Sequence, residues 1–415
     1  MKVVFVNRFF HPDHSATSQL VSDLAFHLAD RGCAVAVVTS RLGYQGREPV
    51  FVGREQVRGV EIHRTWTSHF GRSTLAGRAV DYLTFYLSSF WCLLRLAEPG
   101  DVIVSKTDPP LISVVAGCAA FLRRARLINW VQDLFPEVAV ALGVHRLGGL
   151  VGSWLTGIRN LSLCHAERNV VIGQLMAKRL LAEGVAPERV RVIPNWVDGE
   201  AIRPIDHREN PLRQQWQLDG EFVVGYSGNL GLVHEYDTML EAAKRLRARQ
   251  DIVFLFIGGG ALFTELRDAC DELRLGNVRF LPYQPVELLR QSLGACDAHL
   301  IVLRADMEGM VVPSKIYGIE AAGRPALFIG DAAGEIARMI DEDHSGITIA
   351  PGDDRGLAEA VLRLQSDPGY REQLGSNARR AFDTRYSRAD ALKQWESVLC
   401  SEVASIQKRQ KRFQI

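Results

Sequence analysis

The chain has 415 residues, of which 47% are hydrophobic and 23% are charged, and its formal net charge is +1. This length favours two domains of about 200 residues each, and the nearly neutral charge argues against a nucleic-acid-binding protein, which is usually strongly basic. The seven cysteines are scattered and form no Cys-x-x-Cys pair, so we expect neither a zinc site nor a disulfide framework.

The first half of the chain alternates short apolar runs with helical stretches, which is typical of a parallel sheet covered by helices on both faces. Leu20, Leu24 and Leu28 form the apolar side of the first helix, which ends at Gly32. The run 111–122 is shorter than the roughly 18 residues of a spanning helix, so it is predicted to be a buried helix. Since no signal peptide is predicted either, we expect a cytoplasmic protein. The predicted strands are Val3–Val6, Val35–Thr39, Val60–His63, Val102–Val104, Leu127–Trp130, Asn169–Ile172 and Val190–Ile193.

A polar segment with three prolines at 194–220 interrupts this pattern and is predicted to link two domains. After it come two clear helices, 235–249 and 263–273, and everything from Leu357 onward has a helical pattern. We therefore expect an N-terminal domain over 1–200, to which about 385–415 packs back, and a C-terminal domain over 201–384. The strands predicted for the second half are Phe222–Tyr226, Ile252–Ile257, Val278–Leu281, Ala298–Val302, Ala326–Ile329 and Gly346–Ile349.

The segment Pro313–Pro325 predicts a short helix that follows a buried strand and a loop and carries Lys315 in its first turn. The first N–H groups of a helix are unpaired and partly positive, so they bind phosphate, and a lysine there adds a full charge. This segment therefore predicts a nucleoside diphosphate ligand.

Two more glycine-bearing turns follow strands of the same predicted sheet, at Tyr226–Gly231 and at Gly258–Gly260. Glycine in one such turn usually serves the turn alone. Ligands of open parallel sheets, however, bind outside the carboxyl ends of the strands, where glycines let backbone N–H groups approach a phosphate. Three turns at one sheet edge therefore predict a single diphosphate-binding crevice.

These motifs resemble the nucleotide-sugar domain of GT-B-fold, family-4 retaining glycosyltransferases. The matching stretches are 227–231 (Ser-Gly-Asn-Leu-Gly), 256–260 (Phe-Ile-Gly-Gly-Gly), 277–283 (Asn-Val-Arg-Phe-Leu-Pro-Tyr) and 313–325. Residues 6–12 (Val-Asn-Arg-Phe-Phe-His-Pro) and 130–137 (Trp-Val-Gln-Asp-Leu-Phe-Pro-Glu) are similar to the acceptor domain of that family. The resemblance extends to bacterial O-antigen and capsule transferases, including N-acetyl-fucosaminyl-type enzymes, and implies two Rossmann-like doubly wound domains that face a central cleft.

The resemblance also implies roles for individual residues. Lys315, with the N–H of Ser314, would neutralise the diphosphate as it leaves, and Tyr283 lies where the family holds the nucleobase. Asp133 stands at a strand end where many relatives carry a catalytic histidine. The other donor-binding residues expected are Gly228, Asn229, Gly231, Gly259, Gly260, Tyr317, Gly318 and Glu320.

The sequence departs from the family pattern in two places. Gly318 stands where the family usually carries a ribose-binding glutamate, and both Glu320 and Glu308 are out of register with that pattern. Many relatives also have an arginine or lysine soon after the first glycine turn. Here no such residue follows, so Lys315 is the phosphate cation that the sequence predicts, and His234 or Arg304 is a candidate to assist it.

On the acceptor side, Asp133 has two readings: a catalytic group, or a cap of the turn before Pro136. His11 lies in the loop after the first strand and reads equally well as an acceptor contact or as a plain loop residue. Ser15 and Thr17 suit a helix N-terminus that could hold a phosphate of the acceptor.

The predicted reaction is transfer of a hexosyl or N-acetylhexosaminyl group from a nucleotide-diphosphate sugar, with a UDP-sugar favoured, to a polyprenyl-diphosphate-linked saccharide. No metal is expected, because Asp341-Glu342-Asp343 matches the letters of a metal motif but is typical of a solvated charge run. Two alternatives are kept. A GT-B-fold nucleotide-sugar epimerase would need carboxylates such as Asp133 and Glu137, and a dinucleotide-binding protein would need a Gly-x-Gly-x-x-Gly that does not follow the first strand.

Peripheral contact with an anionic inner membrane is predicted from the segment Trp66–Trp91, in which aromatic residues alternate with Arg72 and Arg78. The basic cluster 408–413 adds to this prediction. Ordinary helix packing and a solvated tail are the alternatives.

Overall fold

The structure is a computed structural model that describes residues 1–13, 15–43, 50–71, 74–144 and 148–400. Arg72 and the cluster 408–413 lie outside the described residues. The chain divides into two compact units: unit 1 comprises Met1–Pro194 with the C-terminal segment that begins at Ala391, and unit 2 comprises Asn195–Asp390. Each unit is a twisted sheet with helices on its faces, so we describe the two separately.

Unit 1 contains eight strands: β1 (Lys2–Val6), β2 (Ala34–Ser40), β3 (Arg54–Val57), β4 (Val60–Thr65), β5 (Val102–Lys106), β6 (Arg126–Val131), β7 (Arg168–Val171) and β8 (Val190–Val192). They are arranged in the order β3-β4-β2-β1-β5-β6-β7-β8. All neighbouring pairs are parallel except β3 and β4. The antiparallel strand β3 was missed by the sequence analysis, because Arg54-Glu55-Gln56 has no apolar run.

The helices of unit 1 are α1 (Ala16–Asp30), α2 (Leu75–Leu96), α3 (Ile112–Arg123), α4 (Glu137–Ala141), α5 (Gly149–His165) and α6 (Gln174–Ala182). A further helix, numbered α15 in chain order (Arg388–Cys400), packs on this unit with Trp395, whose ring centroid lies 4.6 Å from that of Trp130. The buried helix predicted over 111–122 is α3, whose inner side is buried at Ile112, Ala116 and Ala119, whereas Phe121 and Leu122 are exposed.

Unit 2 contains β9 (Phe222–Asn229), β10 (Ile252–Gly259), β11 (Val278–Leu281), β12 (Ala298–Val302), β13 (Ala326–Ile329) and β14 (Gly346–Ile349). They form a fully parallel sheet in the order β11-β10-β9-β12-β13-β14. Its helices are α7 (Pro211–Gln215), α8 (Asp237–Arg245), α9 (Phe263–Glu272), α10 (Leu289–Gly294), α11 (Lys315–Ala321), α12 (Glu335–Asp343), α13 (Asp354–Ser366) and α14 (Pro368–Ala381).

Two parallel-sheet α/β domains and a helical C-terminal region confirm the predicted fold class. Most of the segment predicted as a linker belongs to unit 2, where Arg213 of α7 is buried and donates to the carboxylate of Asp297. Within the described ranges, no helix is both long and apolar enough to cross a membrane.

The strand orders indicate where each unit can bind a ligand. In unit 1 the chain changes direction across the sheet between β1 and β5, and in unit 2 it does so between β9 and β12. At such a switch point the loops that leave the carboxyl ends of the two strands separate and leave a crevice. The residues discussed next lie at the carboxyl ends of these strands and of their neighbours β6, β10 and β11, or in the helices that follow them.

Candidate active site

In unit 2, the first two glycine turns lie side by side. The register of β9 and β10 pairs Gly228 with Gly258 and Asn229 with Gly259. Gly228 and Gly258 have φ values of +121° and +142°, which side chains disfavour. A Cβ atom on Gly258 would also overlap the carbonyl of Gly228. Glycine is therefore required here so that the two loops can approach each other.

Lys315 reaches this pair of loops from the first position of α11. Its Nζ donates to the carbonyl oxygen of Asn229 at 3.3 Å and lies 5.0 Å from the ring centroid of Tyr226. A Cβ atom on Gly228 would come within 3.1 Å of the Lys315 Cε. Burial lowers the pKa of Lys315 to about 8, because desolvation disfavours the charged amine. The amine therefore stays largely charged at neutral pH and would gain from a nearby anion.

A cavity of about 250 Å³ opens beside Lys315. It brings together five residues that the sequence predicted for the donor: Gly228, Tyr283, Ser314, Lys315 and Gly318. Gly318 leaves the wall open where the family usually carries a carboxylate. Further residues of the lining are Val197, Ile202, Ser227, Ile257, Gln284, Leu289, Ser292, Leu293, His299 and Ile319.

Two predicted donor contacts, Tyr317 and Glu320, lie on the opposite side of α11. The Tyr317 ring packs against Tyr386 at 5.5 Å, and Glu320 is fully buried and accepts from the Ser345 hydroxyl at 3.3 Å. Burial raises the pKa of Glu320 to about 8, although Ser345 and Arg385 oppose the shift. Residues three apart on a helix share one face. Lys315 and Gly318 therefore lie together on the face that lines the cavity, and Tyr317 and Glu320 lie together on the face that packs away from it.

The remaining glycines pack loops rather than line the cavity. A Cβ atom on Gly260 would overlap the carbonyl of Leu230, whose N–H donates to Gly259 at 2.7 Å. Gly259 also supports Tyr283, because a Cβ there would stand 3.1 Å from the tyrosine ring.

His234 fixes the Gly231 turn. Its Nδ1 lies 3.0 Å from the Gly231 nitrogen, and its ring meets that of Tyr226 edge-on at 6.2 Å. Burial and the charge of Lys315 lower the pKa of His234 to about 4, with the Gly231 backbone opposing. Burial and Lys315 thus favour the neutral ring of His234, so the structure gives no support to His234 as a second phosphate cation.

Arg304 and Glu308 belong to the loop after β12. The Arg304 guanidinium donates to the carbonyl of Leu232 at 3.3 Å and pairs with Asp306 at 2.6 Å. Glu308 accepts from the first N–H of α12, that of Glu335, at 3.2 Å. Burial and the nearby Asp331 and Glu335 raise the pKa of Glu308 to about 7, against the pull of the backbone donors. Arg304 thus holds the loop that carries the glycine turn, and Glu308 caps a helix.

In unit 1, Asp133 follows β6, beside the loop that follows β5. Asp133 Oδ1 is buried and has no hydrogen-bond partner among the described residues, and a Thr107 hydrogen bond reaches the carboxylate. Burial and the negative charge of Asp108 raise the pKa of Asp133 to about 7, and the Thr107 bond opposes the shift. A small cavity of about 20 Å³ lies beside it, and both polar residues, such as Asn129 and Arg159, and apolar ones, such as Val131, line it. A carboxyl group with this pKa can exchange a proton at neutral pH.

Asp108 and Lys106 connect Asp133 to α1. Asp108 accepts from the Thr17 hydroxyl at 3.2 Å, and the buried Lys106 Nζ donates to the Thr17 carbonyl at 3.3 Å. The same Nζ lies 3.8 Å from the Trp130 ring centroid. Burial lowers the pKa of Lys106 well below its usual range, and the Asp108 carboxylate opposes that shift.

The other residues predicted on the acceptor side form the start of α1. Ser15 is the N-cap and accepts from the Ser18 N–H, and the Ser15 N–H donates to Asp13. His11 is exposed and packs edge-on against Phe26 at 5.4 Å. Thr17 is therefore joined to the Asp108 cluster, whereas His11 and Ser15 belong to the neighbouring loop.

Two family models match the chain. Residues 209–381 match the family model of glycosyl transferases group 1, and residues 16–196 match that of the glycosyl transferase 4-like domain. The chain therefore combines a glycosyl transferase 4-like domain with a glycosyl transferases group 1 domain, and it is a glycosyltransferase of the GT-B type.

Two sequence relatives of this glycosyltransferase come from bacteria. WbjE of Pseudomonas aeruginosa, named as a glycosyltransferase, is 28% identical over 65% of this chain and 67% of its own. WcaI of Escherichia coli K12 is 29% identical over 72% of this chain and 75% of its own, and its name places it in colanic acid biosynthesis.

Solved structures share the fold. Sucrose-phosphate synthase from Thermosynechococcus elongatus has a TM-score of 0.76 at 16% identity and covers 97% of the glycosyltransferase and 99% of its own chain. HepE of Anabaena, solved with UDP, has a TM-score of 0.72 at 18% identity and covers 97% of the glycosyltransferase and 100% of its own chain. These likenesses confirm the GT-B fold that the sequence predicted.

The glycosyltransferase holds no cluster of three or more histidine, cysteine or acidic side chains suited to a metal ion, among the residues described. The charge run at 341–343 ends α12, where Glu342 pairs with Arg338 at 2.6 Å and Asp343 pairs with Arg385. Metal independence remains a prediction.

Sequence analysis missed Lys106, Thr107 and Asp108. The signal was present, since Lys-Thr-Asp-Pro-Pro directly follows a buried strand, at a sheet edge where ligands bind. The analysis also left Glu137 open as an epimerase carboxylate. Its carboxylate is engaged by Arg159 at 2.8 Å.

Proposed function

We propose that the glycosyltransferase is a retaining enzyme that transfers a hexosyl or N-acetylhexosaminyl group from a UDP-sugar to a polyprenyl-diphosphate-linked saccharide, without a metal, during synthesis of a bacterial surface polysaccharide such as O-antigen or capsule. The observation that carries the proposal is the position of Lys315. Its amine stands against the Gly228–Asn229 turn at the mouth of a cavity on the binding edge of the sheet.

The proposed mechanism is electrostatic. Cleavage of the bond between the sugar and the diphosphate leaves negative charge on the diphosphate, and groups already oriented toward that charge lower the barrier. Lys315 supplies the positive charge. At the same mouth, Gly228 and Ser314 have small or no side chains, so their backbone is open to the diphosphate. No side-chain hydrogen bond caps the start of α11, which leaves its first N–H groups available.

UDP is the favoured nucleotide. HepE has been solved with UDP and with UDP-glucose, and it shares this fold. In the present cavity, the Tyr283 ring and the Gln284 amide offer a stacking surface and a hydrogen-bonding group suited to a base. Since Gly318 offers no carboxylate, the ribose must be held by other groups.

The acceptor is assigned to unit 1. Asp133, with its pKa near 7 and its unpartnered Oδ1, is the group best suited to accept a proton from an acceptor hydroxyl. Asp108 keeps that pKa raised, so the two carboxylates act as a pair. The name of WcaI supports a role in polysaccharide synthesis.

A lipid-linked acceptor would require contact with a membrane. The aromatic segment around Trp66–Trp91 is partly exposed, as expected for such contact. This supports peripheral association of a protein that otherwise works in the cytoplasm.

Thermal unfolding measured with UDP-, GDP-, ADP- and dTDP-sugars tests the donor. A ligand that binds only the native state raises the melting temperature, and at 100 times its Kd it stabilises by about 2.7 kcal/mol. We expect the largest rise with a UDP-sugar. Incubation of the same UDP-sugars without acceptor separates the epimerase alternative, because epimerised sugar in the product would overturn the transferase assignment.

A further inference from the structure

Three helices of unit 1 form one layer on the same face of the sheet. The crossovers β4–α2–β5, β5–α3–β6 and β6–α5–β7 all move across the sheet in one direction. Since such crossovers are right-handed, their helices lie on one face. In this layer α3 contacts both α2 and α5.

The outer sides of these helices are apolar. On α2 the exposed stripe recurs at the helical spacing of three or four residues, opposite the buried Phe85 and Leu93. On α5 a second stripe runs from Leu150, 92% exposed, to Leu161, and between them on α3 stands Phe121, 84% exposed. The exposed residues of this layer are Val80, Leu83, Leu87, Trp91, Phe121, Leu122, Leu150, Val151, Trp154 and Leu161. We call this set the apolar face.

The apolar face carries no exposed carboxylate. The only acidic residue in the three helices is Asp81. It is 2% exposed and accepts from the Ser68 hydroxyl at 2.7 Å and the Phe70 N–H at 3.0 Å. The basic residues of the three helices are Arg78, Arg95, Arg123, Arg159 and His165. Of these, Arg159 is buried and paired with Glu137 and Glu183.

We propose that the apolar face is a docking surface for an anionic lipid bilayer, with α2, α3 and α5 lying against the headgroups. This surface would bring unit 1 to a lipid-linked acceptor. Its biological purpose therefore rests on the function proposed above. A contiguous exposed apolar patch of this kind marks an interaction site. Its cation-only charge pattern suits the negative surface of a cytoplasmic leaflet.

Charge favours a bilayer over a second copy of the chain as the occupant. In a two-fold dimer the same patch would face itself. The basic residues Arg95 and Arg123 would then meet a surface whose charged side chains are again basic, with no exposed carboxylate on the three helices to pair with them. An anionic lipid surface provides the opposite charge to every one of them.

Tryptophans at the apolar face fit the same occupant. Trp91 and Trp154 are 59% and 65% exposed. Trp66, in the loop before α2, is held beside that helix by the Ser88 hydroxyl, which donates to its carbonyl at 2.8 Å. Tryptophan is enriched where a protein meets the interfacial layer of a bilayer, since its ring is apolar and its N–H polar.

Vesicle flotation of the full-length protein tests the proposal, with phosphatidylcholine vesicles that contain or lack phosphatidylglycerol. We expect the wild type to float with the anionic vesicles. The variant Leu87→Gln, Trp91→Gln, Leu150→Gln, Trp154→Gln should partition at least tenfold less, because four large apolar side chains no longer gain from leaving water. These side chains are exposed, so the variant should keep the wild-type melting temperature.

The matched control is Leu273→Gln with Val286→Gln, two exposed apolar residues of unit 2. The control should float as the wild type does. Absence of wild-type flotation, or equal flotation of the apolar-face variant, overturns the proposal. A wild-type protein that does not float, is a dimer and becomes monomeric in the apolar-face variant also overturns the proposal. Equal flotation with pure phosphatidylcholine overturns the preference for anionic lipid. UDP-induced stabilisation, measured on the same samples, reports on the proposed function separately, because donor binding requires no membrane.

Discussion

The binding edges of the two sheets have the same architecture and different chemistry. In unit 2, Gly228, Gly318 and Lys315 are among the residues that line a cavity of about 250 Å³. In unit 1, Asp108 and Asp133 share their edge with the buried Lys106, and the cavity beside Asp133 measures about 20 Å³. The first edge offers open backbone and a cation, which suits an anion. The second holds carboxylates in a desolvated setting, which suits proton transfer. One topology thus serves two functions through the residues at its strand ends.

Replacement of Lys315 should remove the cation from the unit 2 edge and give the largest loss of activity. Lys315→Ala removes the only full charge identified against the Gly228–Asn229 turn, so we expect transfer to fall by about 100–1000-fold, as for loss of one charge-stabilising group. Steady-state kinetics with a saturating UDP-sugar measures the change. Lys244→Ala, an exposed lysine paired with Glu241, is the matched control and should leave turnover unchanged.

The pH dependence of UDP binding sharpens that result. Because the pKa of Lys315 is about 8 in the free protein, binding of the anion above pH 8 must take up a proton. The wild-type Kd for UDP should therefore rise above pH 8, by up to about tenfold per pH unit. Lys315→Ala should bind weakly at every pH, without that slope. Wild-type turnover in the variant would remove Lys315 from the mechanism.

The unit 1 edge is tested through its carboxylate pair. Asp133→Asn removes the proposed base, so transfer should fall by about 100-fold, and the decline of wild-type kcat/KM below pH 7 should disappear with it. Asp108→Asn removes a negative charge that raises the pKa of Asp133. The acid limb should then move to lower pH while much of the activity remains. An unmoved limb would show that another group sets it, and a fully active Asp133→Asn would leave only the turn-capping role.

The sequence predicted the sheets well because their buried strands are short, nearly continuous apolar runs, whereas polar β3 carried no such signal. It also predicted the glycine turns and Lys315, since these belong to local motifs. The Asp108–Asp133 pair could not be predicted in this way. Its members are far apart in the sequence, and they meet only because β5 and β6 are neighbours in the sheet. The side of α11 on which Glu320 lies could not be predicted either, because a motif spacing does not fix which side of a helix faces a cavity.

The smallest effect concerns Glu320, which lies on the side of α11 that packs against Ser345 and not on the side that lines the cavity. Burial raises its pKa from 4.5 to about 8, so the folded state retains a proton that the unfolded chain releases. Stability should therefore fall as the pH rises from about 4.5 to about 8. Glu320→Gln keeps the shape and cannot ionise, so at pH 8 its melting temperature should exceed that of the wild type by roughly 3–8 °C. The difference should shrink toward pH 5.

Donor affinity decides between the two roles of Glu320. If this side chain only packs α11 against Ser345, the Kd for UDP should be the same in Glu320→Gln and the wild type, with both measured at pH 7 by calorimetry. A Kd at least tenfold weaker in the variant, with no gain in stability at pH 8, would restore the donor contact that the family resemblance implies. In that case α11 must rotate when the donor binds, because residues 315, 318 and 319 share the face that lines the cavity and Glu320 lies behind them.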